Sequence, residues 1–373
     1  MTARRFTGPL VALTFLFAAS LLPAANLLVP SLELITRGFM NAGDFELASN
    51  GDLSLAIEGG YKFGGSISLS YADLSLEDDD PADRVAFDSA SIIVRDVFKL
   101  PLSLSWFIGT YDVLASGSDF PTSFGTGEIA SAYRGFMYFP TGTQYDGIHQ
   151  VKGTGLRLSS MLVPDKLQLL LYAYQDSWFT DGFSDFEPGH WSGDLRVLAN
   201  LEAIKLEGFL GVSSEPSSVA GWYRAGFLFH ASMKSLEVLA ALGLPKWDPV
   251  ADPFSINLFY ALVEPRLHLG LFNVAATFFW HPEYYHQELT GELGTFNVNL
   301  NLYFGDLTKT LTLGGLEGNL DFDSTSGVFA FVLAPYVSFA TPGAVWKIKV
   351  DTKLWPFDVA DLFEGFVGIR ASF

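Results

Sequence analysis

The chain has 373 residues, of which 49% are hydrophobic, 15% aromatic and only 17% charged; it contains no Cys and its formal net charge is −19. A soluble domain carries about a quarter of its residues as charges, so this composition fits a protein that meets an apolar solvent. The acidic balance excludes a phosphate-binding role on nucleic acid, and the lack of thiols excludes a disulfide framework, a lipid-modified Cys anchor and a redox Cys pair.

In chain order, Arg4 and Arg5 precede an apolar stretch from Leu10 to Leu22 that ends on the small residues Ala24 and Ala25. This looks like a secretory signal peptide cleaved between Ser20 and Asn26, which divides the chain into a signal peptide, 1–25, and a mature domain, 26–373. Beyond it no uncharged apolar run reaches the length of about 18 residues that a membrane helix needs. The longest apolar stretch, Ile256 to Trp280, is interrupted by Glu264-Pro265-Arg266. Only helices and closed barrels satisfy every backbone group in hydrocarbon, so the chain reads as all-β, a transmembrane antiparallel up-and-down barrel.

The predicted strands come in hairpins. Leu53 to Phe63 and Ser66 to Leu76 meet at Gly64-Gly65, with about 25 residues between the cleavage region and the strand at Leu53. Gly155 to Leu162 and Lys166 to Tyr174 meet near Pro164-Asp165, and Leu195 to Leu201 and Ile204 to Val212 meet at Glu202-Ala203. Further turns are expected at Lys234-Ser235, Glu264-Pro265, Asp306 to Thr308 and Thr341 to Gly343, where turn-forming residues gather. Longer polar stretches alternate with these turns: Glu77 to Arg84, Asp176 to Gly189, Ser213 to Ala220, Pro245 to Pro253, His281 to Gly294 and Glu317 to Thr325. Short turns at one end and long loops at the other are the layout of an outer-membrane barrel with periplasmic turns.

With both termini at the short-turn end the strand number is even. Eighteen is the expected count and sixteen the alternative, given that Gly109 to Val151 forms one long excursion after the fifth strand. Parity makes its segment Ile129 to Tyr138 loop. A connection of this length is too long for a plain loop, and it is expected to fold into the lumen.

Alternation assigns the faces. Phe296, Val298, Leu300, Leu302 and Phe304 oppose Asn297, Asn299, Asn301 and Tyr303, while Leu167, Leu169, Leu171 and Ala173 oppose Lys166, Gln168, Tyr172 and Tyr174. The polar set must face inward, because Arg or Lys on the lipid face costs about 2–4 kcal/mol at the midplane. On this register Arg157, Lys166, Arg196, Lys205, Arg224, Arg266, His268, Lys347, Lys349, Lys353 and Arg370 point into the lumen. The inward acids are Asp52, Glu58, Asp194, Glu207, Asp351 and Glu364. Two readings stand side by side: charges in a polar lumen are paired for stability, or a basic wall faces the loop acids Asp112, Asp119, Glu128 and Asp146 across a constriction. The remaining acids, Glu77-Asp78-Asp79-Asp80 with Asp83 and a second group of Asp181, Asp185 and Glu187, read first as solvated loops and second as a cation-binding rim.

The chain ends on a strand with Phe363, Val367, Ile369, Ala371 and Phe373 on one face and Glu364, Gly368, Arg370 and Ser372 on the other, Phe366 being the exception. It resembles the last strand of bacterial outer-membrane β-barrels. That resemblance implies an outer-membrane location, membrane lipids as surroundings, and recognition of Phe363, Val367, Ile369 and Phe373 by the barrel-assembly machinery. The long excursion placed third among the external loops resembles the porins. This likeness implies a passive channel for small polar or charged solutes, with Asp112, Asp119, Glu128 and Asp146 opposite Arg157, Arg196, Arg224, Arg266, Lys347, Lys349 and Arg370 at the constriction, and it leaves a homotrimer open. The alternatives are a transporter for long-chain fatty acids or other hydrophobic compounds, and a structural or adhesive surface barrel.

Trp106, Trp178, Trp191, Trp222, Tyr223, Trp280, Trp346 and Trp355 fall near predicted strand ends and read as interfacial anchors. Enzymatic signals are thin, and neither an enzyme nor a cofactor is expected. His281 and His286 flank Glu283 in a predicted loop, which is weak metal-ligand spacing, and His230 near Ser232 lacks a third catalytic group and an oxyanion hole.

Overall fold

In the computed structural model the described residues are 25–371, apart from 42–43, 60–61, 74–83, 128, 133–146, 177–190, 215–220, 251–252, 281–295, 324–325 and 361. The signal-peptide segment, Glu58's side chain, the acidic runs, Trp178, the His281–His286 stretch and Phe373 therefore lie outside what is described. Among the described residues the first strands are β1 (Ala25–Asn41), β2 (Asp44–Gly59), β3 (Phe63–Asp73), β4 (Arg84–Val94), β5 (Leu102–Leu114) and β6 (His149–Val163). The wall continues through β7 (Leu167–Asp176), β8 (Trp191–Leu201), β9 (Ile204–Ser214), β10 (Trp222–Ser232), β11 (Leu236–Trp247) and β12 (Tyr260–Leu269). It is completed by β13 (Phe272–Trp280), β14 (Phe296–Asp306), β15 (Thr312–Phe322), β16 (Phe329–Thr341), β17 (Ala344–Trp355) and β18 (Phe363–Ala371).

Each strand pairs antiparallel with its sequence neighbours, and β1 pairs with β18 from Leu32↔Ala371 to Gly38↔Gly365, which closes the sheet into a barrel. Closure leaves no open edge, as a span through hydrocarbon requires. Among the described residues no helix is long and apolar enough to cross a membrane.

Connections after even-numbered strands are short, such as 164–166, 202–203, 270–271 and 342–343, whereas those after odd-numbered strands are mostly long, with 115–148 the longest. The start of β1 and the end of β18 lie at the short-turn end.

Five expectations are corrected. The stretch before Leu53 is no spacer but β1 and the start of β2, and Asn50-Gly51-Asp52, despite its turn-like composition, lies within β2. The hairpin that follows consequently turns between Gly59 and Phe63 rather than at Gly64-Gly65. Glu264-Pro265 is the middle of β12, whose turn falls at 270–271. Pro265 is tolerated because the β12–β13 ladder, which keeps one register from Val263↔Phe278 to Arg266↔Ala275, is interrupted at 264–265, so its missing N–H falls in that gap. Glu317 does not open a loop; β15 runs on to Phe322 with Glu317 buried on its inner face. Lys166, expected in the lumen, sits exposed in the 164–166 turn.

The outer face follows the alternation. Leu300, Phe304, Leu171, Val367 and Phe363 are exposed, while Asn297, Asn299, Asn301 and Tyr172 are buried on the inner face. Aromatics crowd the outward ends of strands: Trp191, Tyr223, Phe329 and Trp355 at the long-loop end, and Phe63, Phe272 and Phe304 at the short-turn end. Phe329 stacks on Trp355, with ring centroids 5.5 Å apart. Trp106 departs from this pattern, lying outward in the middle of β5, and Trp222 instead donates to Asp248 at 3.3 Å under the Lys246 ammonium.

Candidate functional site: a latched loop in the lumen

The β5–β6 connection turns into the barrel. Ala115, Phe120 at the start of the short helix α1 (Phe120–Phe124), Ile129 and Ile148 pack with inner-face residues of every strand from β5 to β13, among them Leu170, Leu198, Phe209, Leu228, Leu239, Leu262 and Phe279. That half of the inner wall thus carries a run of apolar side chains among its charged ones, against the expectation of a uniformly polar lumen, because it is covered by chain rather than water.

Burying a loop backbone demands partners for its N–H groups, and two wall carboxylates supply them. Glu207 on β9, fully buried, accepts from the Ala115 N–H at 2.5 Å and the Gly117 N–H at 3.1 Å. Glu264 on β12, equally buried, accepts from the Ala132 N–H at 2.8 Å, the Ser131 hydroxyl at 2.6 Å and the Thr277 hydroxyl at 2.6 Å. Each acid is neutralised by a guanidinium: Arg196 Nε at 2.7 Å from Glu207, and Arg266 Nε at 2.6 Å from Glu264. Both arginines also reach the loop, Arg196 through the Asp119 carboxylate and Arg266 through the Ala130 carbonyl.

The returning limb is held by shape. Gly226 on β10 and Gly243 on β11 leave a notch filled by the Ile148 side chain, and a Cβ at Gly243 would come within 2.4 Å of it.

Of the residues proposed for the constriction, the structure brings two pairs together. Arg157 meets Asp112 at 3.0 Å, with the Tyr172 hydroxyl donating to the same carboxylate at 2.7 Å, and Arg196 meets Asp119. Arg157 also lies over the Tyr111 ring, which stacks on Phe107 at 4.4 Å. Burial works against ionisation of Asp119, but the Arg196 and Arg157 guanidinium groups outweigh it and hold its carboxyl below the ordinary aspartate value of 3.8.

Arg224 and Arg266 pair with wall acids instead. Arg224 binds Asp194 through two bonds of 2.7 and 2.8 Å, and Arg266 binds Glu237 and Glu264. Lys347 and Lys349, on the wall away from this loop cluster, both lie 3.3 Å from Glu317, and Arg370 grips Glu33 across the β1–β18 seam at 2.9 Å. Glu128 and Asp146 lie outside the described residues.

Reading the sequence missed Glu264 and Glu317, hidden by positions that look like turns. It placed Glu207 inward without assigning it a task. Among the described residues no grouping of His, Asp or Glu is arranged to hold a metal ion.

No protein-family model matches the chain and no curated protein matches its sequence. Solved structures do resemble it. A mutant of the Rhodopseudomonas blastica porin is 12% identical over 93% of this chain and 100% of its own, with a TM-score of 0.52. A triple mutant of the same porin is 13% identical with the same coverage and a TM-score of 0.51. At such identities the likeness is one of fold: this closed antiparallel barrel is built as bacterial porins are.

Proposed function

We propose that this chain is an outer-membrane channel through which small polar or charged solutes diffuse passively. The observation that carries the reading is the loop latched into a closed barrel by Glu207 and Glu264: it occupies the β5–β13 side while the remaining wall presents charged side chains, such as Lys353 and Arg370, at 42% and 45% exposure. A barrel this wide is not filled by its own side chains, and a fixed loop narrows it to a defined passage. Direct pairing of Asp112 with Arg157 and of Asp119 with Arg196 supports a constriction whose charges are balanced rather than a one-sided basic screen. A transporter for hydrophobic compounds is less well supported, because the apolar inner surface is already filled by the loop.

The reading carries its surroundings with it. Residues 1–25 act as an export signal, the outward apolar row of Phe363, Val367 and Ile369 with Phe373 is offered to the assembly machinery, membrane lipids contact the outer face, and the barrels form homotrimers. The test is single-channel recording of the refolded mature protein in a planar bilayer under a salt gradient. Discrete conductance steps with a weak ion preference are expected; a folded barrel that inserts and never conducts would overturn the assignment.

A further inference from the structure

At one place on the long-loop end the apolar outer face continues past the strands. Tyr223 is exposed on the outer face of β10, next to the inward Arg224, and pairs in register with Trp247 of β11; their ring centroids lie 6.2 Å apart. Trp247 meets Phe254 edge-on at 5.3 Å, and Phe254 meets Phe259 edge-on at 5.5 Å. A row of four aromatic rings thus leaves β10, crosses the 248–259 connection and returns just before β12.

This connection has two unlike sides. Alternation puts Trp222 with the inward Arg224, and the polar groups gather there: the Lys246 ammonium lies 4.3 Å from the Trp222 ring centroid, and the indole N–H donates to Asp248 at 3.3 Å. Asp248, the one charged residue among those described in the connection, also accepts from the Val250 N–H at 2.8 Å. The other side is apolar. Val250, Phe254 and Ile256 are 77%, 62% and 74% exposed, more than Leu300 and Val367 on the lipid-facing wall at 43% and 52%. Isolated exposed apolar residues are ordinary, but a patch continuous with a row of rings marks an interaction surface. The Leu258 N–H donates to the Ser255 carbonyl at 3.3 Å and the Phe259 N–H to the Ile256 carbonyl at 3.0 Å, closing a short turn over Ile256–Leu258. Backbone groups tied up inside the segment are what entry into an apolar medium requires.

We propose that the 248–259 connection is a membrane-surface anchor: it bends outward from the barrel rim and seats Val250, Phe254 and Ile256 at the boundary between lipid headgroups and acyl chains, while Lys246 and Asp248 stay on the side of the aqueous mouth. The inference rests on the reading of the chain as an outer-membrane barrel. Continuity with the outward Tyr223 and Trp247 selects lipid as the occupant, because those rings already belong to the wall that lipid covers. For the channel, the consequence is that this connection is kept off the entrance on the β10–β12 side, where the latched loop already narrows the passage.

The chain has no Cys, so a single-Cys variant carries a nitroxide label at one place only. The full mature chain is refolded one barrel per phosphatidylcholine nanodisc and labelled through Val250→Cys or Ile256→Cys, with Leu300→Cys as the lipid reference and Lys309→Cys, in a short turn, as the water reference. Relaxation of the label by oxygen, which concentrates in hydrocarbon, is compared with relaxation by a water-soluble nickel chelate. The labels at 250 and 256 should be open to oxygen and protected from nickel, at the depth of about 5–10 Å where interfacial apolar faces sit. Phe254→Asp should shift the Val250→Cys label to the Lys309 value. Aqueous labels at 250 and 256, or a depth unmoved by Phe254→Asp, overturn the proposal. So do labels that are aqueous in single-barrel discs and become shielded from both reagents only where several barrels share a disc, which would assign the patch to a second copy. The references keep the two readings apart. A lipid-exposed Leu300→Cys with an aqueous Ile256→Cys sinks the anchor alone, an aqueous Leu300→Cys sinks the membrane barrel with it, and membrane-seated labels in a barrel that never conducts sink the channel and leave the anchor standing.

Discussion

Replacing Glu207 by Gln isolates the first latch. The carboxylate accepts from two loop N–H groups and from Arg196 Nε, all inside a fully buried pocket. An amide of the same shape keeps one accepting oxygen and turns its NH2 toward groups that are themselves donors. Arg196, with no solvent exposure, keeps Asp119 as its one carboxylate partner among the described residues. Breaking a buried ion pair by removing one member costs about 3–5 kcal/mol, and the barrel wall, closed by its own ladders, does not depend on the loop. The cost should therefore fall on docking, raising the undocked population by at least about 100-fold, since 1.4 kcal/mol is a factor of about ten. Exchange at Ala115 and Gly117 should accelerate by that factor and the single-channel current should become noisy or larger, with the melting temperature of the β-sheet signal nearly unchanged. Protection at Gly117 within about tenfold of wild type would show that the carboxylate does not hold the loop.

Other outcomes follow from neighbouring features. Leu300→Arg, on the exposed outer face of β14, should lower folding stability in lipid vesicles by about 2–4 kcal/mol if it sits at the bilayer midplane; an unchanged denaturant midpoint would argue against the assigned faces. Phe366→Ala should weaken the seam where its ring packs with Ile35 and Ala48, lowering the thermal midpoint through a cost of up to about 3–5 kcal/mol, and no shift would show that closure does not rely on it. Asp119 has a depressed folded-state value, so its share of loop docking is present above 3.8 and is lost as pH falls below it. Accelerated exchange of the 115–119 backbone in acid, after intrinsic correction and absent in Asp119→Asn, is the expected result; equal behaviour of the two chains would refute it.

The fold was legible in the sequence because a barrel strand must alternate between two solvents: β14 alternates throughout, and β7 and β18 break the pattern with Leu170 and Phe366 on the inner face. Errors arose where an inward polar residue coincided with turn chemistry. Glu264-Pro265 and Glu317 resemble loop openings because no local pattern distinguishes a carboxylate that will be solvated from one that will accept a loop N–H across the lumen. The site was legible only in part for the same reason. Arg157 and Arg196 were placed inward by register, but their partners Asp112 and Asp119 lie 45 and 77 residues away, and which half of the wall the loop covers depends on a path that periodicity does not encode. The apolar inner residues Leu198, Leu228 and Leu262 carry that information faintly: a Leu facing a water-filled lumen makes sense only if something covers it.

The pairing of small with large on the inner wall has an effect beyond filling space. Tyr336 lies over Gly315, the Asp194–Arg224 pair over Gly211, and Ile148 in the notch of Gly226 and Gly243. At each of these places a bulky group lies along the wall instead of projecting from it. The free cross-section is therefore set by which strand positions lack a side chain, so passage width in barrels of this design could change through single glycine substitutions that leave strand count, loop length and lumen charge untouched.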